Sequence, residues 1–150
     1  NNTVPNNTFS NTTSVYKQIN LSTIDLKEIR WIDAKERDEL RETLYEYFDL
    51  VEDNYLPFGI PLPDYFERKK SLVDIMSDLI LDKRPIYVIS KLRVSREELI
   101  HRFLQLDQYD LESMLERMDA APAAIKNIKA YVLVSLYNAS LSKDLTVNAI

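Results

Sequence analysis

Carboxylates are the groups in this chain most able to do chemistry. Glu97 and Glu98 are neighbours, and Asp107 and Asp110 lie three apart. A carboxylate pair works as acid and base only where its surroundings split the two pKa values. Both pairs fall in patterns of helix surface, where no such environment is expected. Three or four carboxylates can also hold Mg²⁺, but no spacing here marks a metal site. His101, the one histidine, lies beside Ile100 and near Phe103 on the apolar side of its segment. It reads as a half-buried packing residue rather than a base. The expectation is therefore no catalytic residue, no metal and no cofactor.

Composition narrows the field further. Cysteine is absent, which removes disulfides, thiolate zinc sites and a thiol nucleophile. Gly59 is the single glycine, so a Gly-rich phosphate loop of Rossmann or Walker type cannot be built. A formal net charge of -5 argues against the whole chain acting as an electrostatic DNA clamp. No apolar run reaches the roughly 20 residues of a membrane span. The first residues do not read as a secretory signal, and residue 1 is Asn rather than Met. A fragment or processed product acting in the cytoplasm is the expectation.

The elements follow from periodicity and punctuation. Residues 1–20 are rich in Asn, Thr and Ser and read as a flexible linker. Their sequons, such as Asn6-Asn7-Thr8, and the sequon at Asn138-Ala139-Ser140 arise as readily from composition as from glycosylation. Asp33 can cap a helix carrying Leu40, Leu44, Tyr47 and Phe48 on one face. Pro57, Gly59, Pro61 and Pro63 make residues 53–65 a loop, with Tyr55, Phe58, Tyr65 and Phe66 packing around it. A helix from about Lys70 to Asp82 presents Leu72, Ile75, Met76, Leu79 and Ile80. Ile86 to Ile89 is the one convincing strand, with Lys91 to Val94 as a possible partner. Ser95 to Glu98 is a capping box for a helix with Leu99, Ile100, Phe103 and Leu104. Asp107 or Asp110 starts the next, carrying Leu111, Met114, Leu115 and Met118.

Pro122 precedes a last helix expected from about Ala123 to Asn138. Its core face would be Ile125, Ile128, Val132, Leu133 and Leu136. The opposite side carries Asn127, Tyr131, Val134 and Asn138, which read either as a second packed face or as a docking stripe for a partner. Arg93, Arg96, Arg102, Lys126 and Lys129 are candidates for phosphate contact, or else solvated surface charges. The fold class is thus mostly α: a compact domain of about five helices with at most one short strand pair, spanning 21–140. A disordered tail precedes it, and a tail at 141–150 follows.

Ile125-Lys126-Asn127-Ile128-Lys129-Ala130-Tyr131-Val132-Leu133, followed by Leu136-Tyr137-Asn138-Ala139, resembles the ending of the replication initiator A (RepA) family of Firmicutes plasmids and integrative elements. That family ends close to I-x-N-I-x-x-Y-L-L-x-x-L-Y-N-A. Arg102 to Leu106 resembles its S-R-F-L-K-L segment, and Leu111 to Met118 its I-E-Y-V-L-D-S-L helix. Leu72 to Leu81, the strand at Pro85 to Ile89 and the Asn-Asn-Thr tract are similar to further family segments. After Ala139 the chain departs, reading Ser140-Leu141-Ser142-Lys143-Asp144 where the family has Pro, Thr and a double Tyr.

The resemblance implies a DnaD-like C-terminal domain that recruits host primase or helicase-loading proteins to a replication origin. DNA would be bound mainly by an N-terminal winged-helix domain that this sequence does not contain. The competing expectation is an accessory nucleic-acid-binding helical domain without catalysis.

Overall fold

The computed structural model describes residues 26–121 and 124–149. The Asn/Thr-rich tract and Pro122 lie outside them. Among the described residues the chain forms six α-helices and one two-stranded antiparallel sheet. The helices are α1 (Leu26–Asp33), α2 (Arg37–Tyr47), α3 (Phe66–Leu81), α4 (Arg96–Phe103), α5 (Gln108–Asp119) and α6 (Ile128–Ala149). The strands β1 (Ile86–Ile89) and β2 (Leu92–Ser95) join α3 to α4. The mostly α fold class with a single strand pair is as expected, with one helix more than anticipated.

That extra helix is α1. Asp33 does not cap α2; it is the last residue of α1, which buries Ile29 and Ile32. Glu36 occupies the cap position of α2 and makes no side-chain cap bond. Leu40 and Leu44 are fully buried, four residues apart, and Phe48 extends the stripe just past the helix end. Tyr47 falls outside it and is about half exposed. The connection to the next segment turns at Asp49, whose φ is 57°. Leu50 then donates its amide to the Tyr45 carbonyl at 2.7 Å, closing a Schellman-type stop with no glycine.

α3 runs along α2 and also meets α4, α5 and α6. It begins at Phe66, four residues earlier than the apolar pattern predicts, and buries Phe66, Leu72, Val73, Met76, Leu79 and Ile80. Its polar edge faces α2: Arg37 and Arg41 donate to Asp78, and the Tyr45 hydroxyl donates to Asp74. Burial, then the Asp74 hydrogen bond, push the Tyr45 phenol well above its usual range.

β1 and β2 form a hairpin in the register Tyr87 opposite Val94 and Ile89 opposite Leu92. Alternation sends Tyr87, Ile89 and Val94 inward and leaves Val88 outside. The two turn residues, Ser90 and Lys91, have φ of 50° and 70°. This is the pattern of a type I′ turn, which favours Asn-Gly.

Ser95 caps α4 by accepting the Glu98 amide at 3.1 Å. The Glu98 carboxylate turns instead to Arg102, so only half of the expected box forms. Asp107 and Asp110 make the reciprocal box at α5. α6 packs on α3, α4 and α5 and buries Val132, Leu136, Tyr137 and Ser140. It starts five residues later than expected, leaving Ile125 ahead of the helix and Ile128 exposed. It also continues past Asn138 through residues expected to be a tail.

Arg96 ties the layers together. Its guanidinium is buried, grips both Asp33 carboxylate oxygens at 2.7 and 3.2 Å, and donates twice to the Ile80 carbonyl. One side chain thereby joins the ends of α1 and α3 to the start of α4. Removing it takes the guanidinium from the partly solvated Asp33 carboxylate and two donors from the Ile80 carbonyl, which keeps the Lys83 amide at 3.3 Å. Arg96→Ala should cost about 2 kcal/mol in urea denaturation, chiefly from the lost hydrogen bonds and packing of the buried guanidinium, and Arg96→Lys should recover little, because an ammonium lacks the planar fork. At the hairpin, the double change Ser90→Asn with Lys91→Gly should stabilise by about 1 kcal/mol, read as a higher denaturation midpoint.

Candidate interaction surface

The structure separates the residues of the expected α6 stripe. Asn127 acts as a helix cap: its side-chain oxygen accepts the Ala130 amide at 3.1 Å, and its carbonyl accepts the Tyr131 amide. Tyr131 and Val134 are half-buried, and Val134 packs against the core. Asn138 is exposed. Asn127 opens on a groove of about 660 Å³ with Arg37, Arg84, Val88 and Lys129. Asn138 opens on a different groove of about 600 Å³, with Asp110, Arg117 and Lys143. The four residues share a helix side but do not line one site.

The basic candidates divide as well. Arg96 is committed to Asp33 and Ile80. Arg102 is 3% exposed, donates to Glu98 and Ser140, and lies over the Tyr137 ring at 5.2 Å. Both are internal ties, so neither reaches a phosphate backbone. Arg93, Lys126 and Lys129 are exposed, with the Lys129 amine 3.9 Å from Asp78. His101 is half-buried. No group of three or more His, Asp or Glu side chains is placed to hold a metal ion among the described residues.

A third groove was not anticipated by the sequence reading. It measures about 650 Å³ and is lined by three chain segments: Tyr47 to Asp49, Tyr55 with Pro63 and Asp64, and Leu106 to Tyr109, with Lys69 and Glu112 at its base. The Tyr47 hydroxyl donates to the Leu104 carbonyl at 2.6 Å, and its ring meets Phe48 edge-on. The Tyr55 hydroxyl meets the Asp49 carbonyl and carboxylate, both at 2.7 Å, and its ring meets Phe66 edge-on. Burial raises both phenols above their usual range, and at Tyr55 the Asp49 hydrogen bond adds to it. Two walls are thus held in place before anything binds.

Lys69 is 2% exposed and shared between Gln108 at 3.3 Å and Glu112 at 3.2 Å. Its alkyl stem fills the base while its charge is matched. A loop leaves the groove at Tyr55 and returns at Pro63. The Ile60 amide closes it onto the Tyr55 carbonyl at 3.0 Å, and Gly59 supplies a φ of 70°. Leu56, Phe58 and Ile60 on this loop are exposed, Phe58 by 74%. Phe58 was expected to pack; the two 3-10 turns at Glu52–Asn54 and Leu56–Phe58 point it outward instead. Tyr109, in the first turn of α5, is 79% exposed. Nine large hydrophobic side chains are exposed among the described residues; Tyr47 and Tyr109 line this groove, and Leu56, Phe58 and Ile60 stand on the loop that leaves and re-enters it. Apolar residues between the prolines of a loop were the one available sequence signal.

Comparison with protein-family models, curated proteins and solved structures finds no match for this chain. Among the described residues, no helix is long and apolar enough to cross a membrane.

The carboxylates weighed for catalysis serve as fasteners. Lys143 of α6 reaches Asp107 at 3.0 Å, Asp110 at 2.7 Å and the Gln105 carbonyl at 3.0 Å. Burial pushes the Asp107 carboxyl up, but hydrogen bonds from Lys143 and the Asp110 amide outweigh it and hold the group below the usual carboxylate range. A carboxyl depressed on folding stabilises above its unfolded pKa and loses that contribution as pH falls through the folded one. Acid titration of stability below about pH 4 should therefore be less steep in Lys143→Met than in the parent. At neutral pH the same change should cost under about 1 kcal/mol, since Asp107 is partly solvated.

Proposed function

We propose that this chain is the recruiting module of a plasmid or mobile-element replication initiator, working by protein contact rather than catalysis. Host primase or helicase-loading proteins are the partners in this reading. The likeness of residues 125–139 to the initiator A ending supports the family assignment. The observation that supports a docking role is that two exposed tyrosines, Tyr47 and Tyr109, line one groove while three exposed apolar side chains, Leu56, Phe58 and Ile60, stand on the loop that leaves and re-enters it. Exposed apolar surface concentrated in one place marks interaction sites, whereas scattered single residues do not. Tyrosines suit such a site because they give large contact area at small entropic cost. In this reading the Asn/Thr-rich tract is the tether to an origin-bound, cytoplasmic winged-helix domain. A tether raises the effective concentration of the module near the DNA.

A second reading, an accessory nucleic-acid contact, rests on a different feature. Arg37, Arg84 and Lys129 line the groove at Asn127, where phosphate oxygens would find three cations, although Asp78 and Asp82 share that lining.

The immobilised chain should enrich primase, replicative helicase or its loader from a DNase-treated Firmicutes lysate, as read by mass spectrometry. Enrichment should fall in a Tyr47→Ala, Tyr109→Ala double variant. Absence of any replication protein, together with DNA affinity that drops steeply with salt and on Lys129→Ala, would replace recruitment with the nucleic-acid reading.

A further inference from the structure

We propose that the tyrosine groove takes a basic, amphipathic segment of a partner protein, with apolar side chains against the loop and a Lys or Arg among the carboxylates. This rests on the docking reading and adds the chemistry of the partner.

The charge of the groove selects the occupant. Four carboxylates line it: Asp49, Asp64, Asp107 and Glu112. Glu112 is matched by Lys69 and Asp107 by Lys143. Asp49 accepts only neutral donors, from Asn54 and Tyr55. Asp64 is exposed and has no ion-pair partner among the described residues. Glu52 and Asp53, also exposed and unpaired among those residues, stand on the turn that leads to Tyr55. Asp49 and Asp64 therefore line the groove without a cationic partner among the described residues, while Glu52 and Asp53 stand on the adjoining groove with Glu42, Glu46 and Lys70 and keep the net charge on this side negative. They repel a phosphate backbone or an anionic membrane surface and attract a cationic chain.

The apolar and aromatic side chains select its shape. Leu56, Phe58 and Ile60 are exposed on the loop that leaves and re-enters the groove, and Tyr47 and Tyr109 are exposed in its lining. A segment lying between them would cover apolar surface on one face. Its basic residues would find tyrosine faces and carboxylates together, the pairing that favours Lys and Arg. Because Tyr47 and Tyr55 are already fixed by hydrogen bonds, little ordering is required on binding.

The test uses the full chain and synthetic helical peptides of roughly 18 residues, long enough for an amphipathic face. One peptide carries Leu and Phe on one side with Lys and Arg on the other. A second has Glu in place of every Lys and Arg, and a third scrambles the first. Fluorescence anisotropy should show the basic peptide binding at least about tenfold more tightly than either control, and more weakly as salt rises. Phe58→Ser with Tyr109→Ser should weaken it at least about tenfold, and Asp64→Lys should do so separately. Both changes are at exposed positions, so the melting midpoint should stay near the parent value. Equal binding of the three peptides, no binding, or indifference to the variants would overturn the proposal. So would concentration-dependent dimerisation that these variants abolish, which would assign the groove to a second copy of the chain. If the variants instead capture replication proteins undiminished, the recruiting role stands and only this groove is excluded.

Discussion

The buried guanidinium of Arg96 is the constraint on which the packing of this domain depends. A desolvated cation is tolerable only when matched, and here the match comes from two other helices: the Asp33 carboxylate and the Ile80 carbonyl. The bond to Ile80 adds charged donors to a carbonyl in the last turn of α3 that otherwise accepts only the Lys83 amide, at 3.3 Å. Because the fork is planar, it fixes relative orientation as well as proximity. The hairpin between α3 and α4 must then span a set distance, and it does so in two short strands and a two-residue turn. Arg102, near the other end of α4, repeats the device, holding α6 through Ser140 and the Tyr137 ring.

Local patterns were readable in the sequence, and their reach explains what was not. The strand at Ile86 to Ile89, the Ser95 cap and the apolar faces of α4 and α5 each follow from a few adjacent residues. The start of α2 was misplaced because Asp33 resembles a cap, while its carboxylate serves Arg96, 63 residues away. The stop of α2 was hidden because Asp49 takes the left-handed turn usually given to glycine. On α6, Val132 and Leu136 were recognisable core residues, whereas Tyr137 and Ser140 are buried because Arg102 reaches them from α4. Arg96 and Arg102, read as phosphate contacts or surface charges, are buried internal cations for the same reason.

The groove lay beyond the sequence reading because no single segment carries it. Its walls come from the end of α2, the Pro-rich loop and the start of α5, and only the tertiary fold brings these together. The stripe on α6 was the opposite case. Its spacing is regular, yet Asn127 is spent on capping and Val134 on packing. Helical periodicity reports which residues share a face; it does not report whether neighbouring elements have already claimed them.

Among the described residues, five other than glycine adopt positive φ: Asp49, Tyr65, Lys83, Ser90 and Lys91. A glycine at such a position relaxes the backbone but brings no side-chain atoms. At Asp49 those atoms matter, since the carboxylate receives both Asn54 and the Tyr55 hydroxyl. Backbone ease and groove architecture are therefore opposed at one residue. Selection for stability alone would favour Gly at position 49, and the central tyrosine of the groove would keep the backbone carbonyl but lose the carboxylate oxygen that holds its hydroxyl. The aspartate is where the groove leaves its mark on a helix end.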